Sequence, residues 1–132
     1  MEIPLGARRE ERVLVTPENA INFLGMEGAR VLSTPHMIGY LEMTVRNLIK
    51  QHVPAGEDSV GTVVNVKHIA ATPIGMSVRL TAEVTAVEGR RVTCRVEAWD
   101  ESEKVGEGDH ERFVIDVARF AARVQAKAAA RA

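Results

Sequence analysis

The chain's longest stretch with a helical period runs from Ser33 to about His52, and its apolar face is wide. Met37, Ile38, Leu41, Val45, Leu48 and Ile49 fall on one side, and Arg46, Asn47, Lys50 and Gln51 on the other. The start reads as a helix N-terminus. Thr34, a hydroxyl residue, precedes Pro35, whose missing N–H would have no partner in the first turn anyway. Pro54, Gly56 and Asp58 mark the loop that ends the helix. A helix this apolar must be covered on most sides. Glu42 breaks the pattern, because it lies within roughly 40–60° of Ile38 and Val45. It is a pocket-facing acid, a surface acid at the helix margin, or one half of a structural ion pair.

From Gly61 the period changes to two. Val64, Val66, His68 and Ala70 share one strand face, with Val63, Asn65, Lys67 and Ile69 on the other. After a turn at Thr72-Pro73-Ile74-Gly75, residues 77–86 alternate cleanly, and residues 92–99 do so again beyond Glu88-Gly89-Arg90. Asp100 to Lys104 turns the chain into a further strand, Val105 to Val117. Its parity is broken by Gly106 and Gly108, which points to a bulge or a close backbone approach. Residues 8–15 read as a first strand. Thr16-Pro17-Glu18 repeats the cap-then-Pro signature and predicts a short helix stopped by Gly25. Ala118 to Ala132 reads as an Ala-rich terminal helix. One long apolar helix before a meander of about four long strands predicts an α+β fold, a single layer pair with the sheet curled around a central helix.

The length of 132 residues predicts one domain, residues 1–132. A net charge of −1 and no basic stripe argue against nucleic acid as a partner. The single cysteine, Cys94, excludes an internal disulfide and any multi-cysteine metal site. No apolar run reaches the ~20 residues of a membrane span, and the N-terminus carries no apolar block of the signal-peptide kind. The expectation is a cytoplasmic protein.

Three residues are candidates for chemistry. Glu42 is the first. His68 is the second, and it reads either as a satisfied core histidine or as a base; an inward carboxylate and an inward imidazole in one small domain would tend to pair. Thr34 is the third, an N-cap by position. The eight residues from Thr34 to Glu42 span ~12 Å of helix, so the two would not touch, although a substrate could lie between them with the helix N-terminus donating to its carbonyl oxygen. His36 and His110 have no partner spacing that indicates a metal site, and His52 reads as a helix-end residue.

These residues also carry a resemblance. Thr34 with Glu42, the block from Gly61 to Gly75 containing His68, the turn Val87-Glu88-Gly89-Arg90-Arg91, and Gly108-Asp109-His110-Glu111-Arg112 together resemble the fluoroacetyl-CoA thioesterase family, over roughly residues 8–125. The resemblance implies a hot-dog fold, a homodimer with active sites at the subunit interface, and hydrolysis of acyl-CoA thioesters. Thr34, Glu42 and His68 match that family's catalytic set. Gly61 matches a glycine of its acyl pocket, and Arg112 an arginine linked to substrate binding. No metal and no cofactor are implied beyond the coenzyme A of the substrate. The chain departs from the family in residues 18–31, which look shorter than in the fluoroacetyl-specific member and hold Phe23 as their only aromatic.

The resulting expectation is a thioesterase for a short or small acyl group, with Glu42 as nucleophile or as general base. The alternatives are a non-catalytic hot-dog module that binds acyl-CoA or another acyl ligand, and a hot-dog hydratase or dehydratase.

Overall fold

The computed structural model describes residues 2–131. The strands are β1 (Arg8–Leu14), β2 (Glu57–His68), β3 (Ser77–Glu88), β4 (Arg91–Trp99) and β5 (Lys104–Asp116). The helices are α1 (Thr34–Lys50) and α2 (Val117–Ala129), with one 3₁₀ turn at Glu27–Ala29. The strands form one antiparallel sheet in the order β1-β3-β4-β5-β2, which leaves β1 and β2 at the edges. Ala132, the far end of the expected terminal helix, lies outside the described residues.

The sheet wraps α1, which touches all five strands. Met37, Leu41, Val45, Leu48 and Ile49 are completely or almost completely buried. They meet the inner faces of β3 and β4, where Val78, Leu80, Ala82, Val84 alternate on one strand and Val92, Cys94, Val96, Ala98 on the other. Burying one such aliphatic side chain stabilises by about 1.5–3 kcal/mol, so this single interface dominates the core. The central-helix expectation holds.

Three local expectations change. Ser33, not Thr34, is the N-cap of α1: its hydroxyl accepts from the His36 N–H at 3.1 Å. The helix expected between Thr16 and Gly25 does not form. After one turn the backbone pairs with the segment before α1 instead of with itself: the Ile21 N–H donates to the Val31 carbonyl and the Ser33 N–H to the Asn19 carbonyl, both at 2.9 Å, around an Ala20–Leu32 bridge. Arg30 ties the same segment down by donating to the carbonyls of Ile21 and Pro17. Finally, the β2 face shared by Val64, Val66 and His68 is only partly covered. As part of an edge strand, β2 leaves Val64 45% and Val63 47% exposed.

The β5 glycines mark close approaches, as their broken parity predicted. A Cβ at Gly108 would overlap the backbone carbonyl of Asn65 on β2, and one at Gly106 would sit 2.7 Å from Met37 Sδ. The first obstacle is backbone, whereas the second is the end of a flexible side chain. Gly108→Ala is therefore expected to destabilise by about 2 kcal/mol or more, and Gly106→Ala by about 1 kcal/mol. Thermal or denaturant melts check this. Equal stability of Gly108→Ala and the parent chain would contradict the close approach.

Candidate active site

The candidate residues gather in two clusters along β2. Relative to α1, β2 runs so that Gly61 lies beside Glu42 while His68 lies beside Thr34.

The first cluster is at the N-terminus of α1. Because Ser33 performs the capping, the Thr34 hydroxyl is free, and it shares a 2.7 Å hydrogen bond with His68 Nδ1. Pro35 has no N–H and the His36 N–H is taken by Ser33. Among the described residues, the donors left for a ligand oxygen at this helix end are the hydroxyl and N–H of Thr34 itself. Burial pushes the His68 imidazole below its ordinary value of 6.5, so it is neutral at pH 7 and competent as a base. The pair opens into a cavity of about 360 Å³ lined by Ile21, Phe23, Val31, Leu32, Ile69 and Ala70. Apart from Thr34 and His68, those walls are apolar. Phe23 is 76% exposed at the rim.

The second cluster surrounds Glu42. Arg112, 5% exposed, donates from Nε to Ser59 Oγ and from Nη2 to the Ser59 carbonyl, both at 2.7 Å. That leaves its Nη1 against Glu42 Oε1 at 3.4 Å. His110 stands on the other side, with Nε2 3.9 Å from Glu42 Oε2. Gly61 completes the cluster, since a Cβ there would contact the Arg112 guanidinium, Glu42 and His110 at 3.5–3.6 Å. The Glu42 side chain keeps 40% of its surface open to solvent.

The structure thus brings Thr34 to His68, and Glu42 to Gly61 and Arg112. The expected pairing of Glu42 with His68 is absent within one chain, because the two lie at opposite ends of the first half of α1. Its partners are instead Arg112 and His110. Arg112 is buried by Ser59 and Glu42 and points inward. His110 was not among the candidates, though a signal for it existed: with Arg112 and Val114 it keeps a strict period of two on the inner face of β5, and an imidazole at a core-facing position needs a reason.

A central helix wrapped by a five-stranded antiparallel sheet is the hot-dog architecture of the thioesterase superfamily. Residues 15–118 match the family model described as fluoroacetyl-CoA-specific thioesterase. The fluoroacetyl-CoA thioesterase of Streptantibioticus cattleyicolor is 36% identical over 129 residues, covering 93% of each chain. A solved structure of the fluoroacetyl-CoA thioesterase FlK superposes with a TM-score of 0.86 at 35% identity, covering 96% of this chain and 98% of that one. A thioesterase superfamily member from Thermus thermophilus gives a TM-score of 0.86 at 30% identity over 98% of both chains. The chain belongs to the fluoroacetyl-CoA-specific thioesterase family.

The buried His110 and the half-buried His68 have a consequence for stability. Burial lowers the His110 imidazole below 6.5, the positive Arg112 lowers it further, and Glu42 opposes both. For His68 burial dominates. In the unfolded chain both take up protons near pH 6.5, whereas the folded chain resists. Their neutral burial is therefore free of penalty above pH 6.5, and the fold loses stability as pH falls from there toward the folded values. Denaturant melts between pH 8 and 5 are expected to show this loss, and His110→Leu is expected to flatten it. An unchanged slope in that variant would contradict a buried neutral His110.

Proposed function

We propose that this protein hydrolyses acyl-CoA thioesters of small acyl groups to the free acid and coenzyme A. The observation that carries the reading is the Thr34–His68 hydrogen bond at the end of an apolar cavity, which fits an acyl chain leading to a polar reaction centre. Fluoroacetyl-CoA falls in this class by acyl size, but Phe23 as the only aromatic of residues 18–31 argues against a site dedicated to it. The loop is tethered by Asn19 and Arg30 and leaves Phe23 exposed at the rim, which supports a range of small acyl groups over a single one.

In this mechanism the Thr34 hydroxyl and N–H receive the thioester carbonyl oxygen, where negative charge builds up as the tetrahedral intermediate forms. Glu42 acts as general base. It takes a proton from water as the water oxygen bonds to the carbonyl carbon, and the C–S bond then breaks. The thiolate leaves with a proton returned from Glu42 or passed through His68, so that acid and thiol are the products. Attack by Glu42 itself, through a transient anhydride that water then opens, gives the same products, and the labelling experiment below separates the two routes. No metal or cofactor takes part beyond the coenzyme A of the substrate.

The reading includes a homodimer. The exposed run of β2, Gly61 to Asn65 and Lys67, lies on an edge strand that pairs with β5 on one side and with no strand among the described residues on the other. The midpoint between Gly61 and His68 falls between Val64 and Asn65. Antiparallel pairing of two β2 strands about that point sets the Glu42 cluster of one protomer opposite the Thr34–His68 pair of its partner. Each site is then complete only across the interface, which accounts for two half-sites on one chain. A cytoplasmic location and a one-domain chain go with this reading. Among the described residues, no helix is long and apolar enough to cross a membrane.

Two experiments test it. Glu42→Gln is expected to lower kcat by about 100-fold or more on an acyl-CoA panel with thiol detection, with the dimer intact. Near-parental hydrolysis by that variant would overturn the assignment, and saturable binding without thiol release would make the parent a carrier. A single turnover in ¹⁸O-water should label the released acid and leave Glu42 unlabelled, whereas label in Glu42 would mean it is the nucleophile. Val64→Lys sets like charges side by side at the two-fold axis, so it is expected to yield monomers and lose turnover together. An active monomer would refute the composite site.

A further inference from the structure

The proposed chemistry leaves the buried imidazole of His110 without a task. His110 is 1% exposed on β5, in register with Cys94 on β4 and Val64 on β2. Neither ring nitrogen has a hydrogen-bond partner among the described residues. Leaving such a group unpartnered costs about 1–3 kcal/mol. Nearby inner-face positions hold Cys94, Val96 and Val114, so the fold itself does not require an imidazole there.

What His110 faces is Glu42. Its Nε2 lies 3.9 Å from Oε2, whereas the closest approach of Arg112 is to the other carboxylate oxygen, Oε1. Arg112 is immobilised by its two bonds to Ser59, so its hold on Oε1 at 3.4 Å has a fixed direction. The side of the carboxylate facing Gly61 is kept clear by the missing Cβ, which would stand 3.5 Å from Oε1 and 3.6 Å from His110 Cε1.

We infer that His110 is a positioning residue for Glu42: with its proton on Nε2, it holds Oε2 while Arg112 holds Oε1, so that the carboxylate is aimed across Gly61 at the reacting water. A closure of about 1 Å converts the present separation into a hydrogen bond, as is usual when a site tightens around substrate. A neutral imidazole suits the place because it donates without adding a second positive charge beside Arg112. The groups facing it are Glu42 from α1, Arg112 from its own strand and the thiol of Cys94 from β4. Burial pushes that thiol up to about 12, so it stays uncharged. The inference rests on the hydrolase reading with Glu42 as the reacting carboxylate.

The test uses the full chain with acetyl-CoA and butyryl-CoA and thiol detection. His110→Leu removes the donor at similar volume, and kcat is expected to fall about 10- to 100-fold, the cost of a misplaced catalytic group, with KM within about two-fold. Its melting temperature is expected to hold or rise, since an unpartnered polar group is gone. His110→Gln carries an amide N–H to the place of Nε2 and should recover most of kcat. His110→Asn ends near the place of Nδ1 and should not. Full kcat in His110→Leu, or equal kcat in the Gln and Asn variants, would overturn the inference; if His110→Leu fails to fold, the Gln and Asn pair decides. An inactive Glu42→Gln beside a fully active His110→Leu would remove this inference alone. A parent chain that releases no thiol from either substrate would remove it together with the hydrolase reading.

Discussion

The burial of the apolar face of α1 inside the curved sheet is the contact on which everything else in this structure rests. Met37, Leu41, Val45, Leu48 and Ile49 cover too wide an arc of the helix for one flat layer to shield, so the strands must bend around it. That packing fixes the helix in rotation as well as in position. Once Leu41 and Val45 point into the sheet, Ile38 and Glu42 must face the β2 edge. The same packing that stabilises the fold therefore aims the acid.

The helix start shows a second division of labour. A first turn needs acceptors for its N–H groups, and Ser33 and Pro35 between them reduce that demand. Thr34 is then released from the backbone and turned toward His68. Two adjacent hydroxyl residues thus do different work, one closing the helix and one facing the cavity. At the other cluster Ser59 has a comparable part. By engaging two edges of the Arg112 guanidinium it leaves the third for Glu42, which lets a cation be buried beside a half-exposed carboxylate without collapsing onto it.

Much of this was readable in the chain. The central helix, the alternating strands β3 and β4 and the close approaches at Gly106 and Gly108 follow from period and parity, whereas Thr34, Glu42 and His68 stood out as a set only through the family resemblance. Other features escaped. The helix expected at Thr16 failed because the backbone from Asn19 to Ile21 pairs with residues 31–33 far along the chain, and propensity over so short a stretch cannot outweigh such bonds. His110 escaped because its significance is a contact between β5 and α1, elements far apart in the chain. Its two-residue period with Arg112 marked it as inward-facing, yet nothing local named Glu42 as what it would meet.

The sequence by itself determined the inward faces of α1, β3 and β4, because the 3.6- and 2-residue periods of helix and strand are local geometry, and it placed a carboxylate beside the apolar stripe of α1. Which groups then meet was decided only by tertiary structure. The expected partnership of Glu42 with His68 gave way, within the chain, to Glu42 with Arg112 and His110, and Thr34 with His68. The physical reason lies in the relative direction and register of α1 and β2. Such a register follows from the packing of the whole sheet around the helix, and no single segment encodes it.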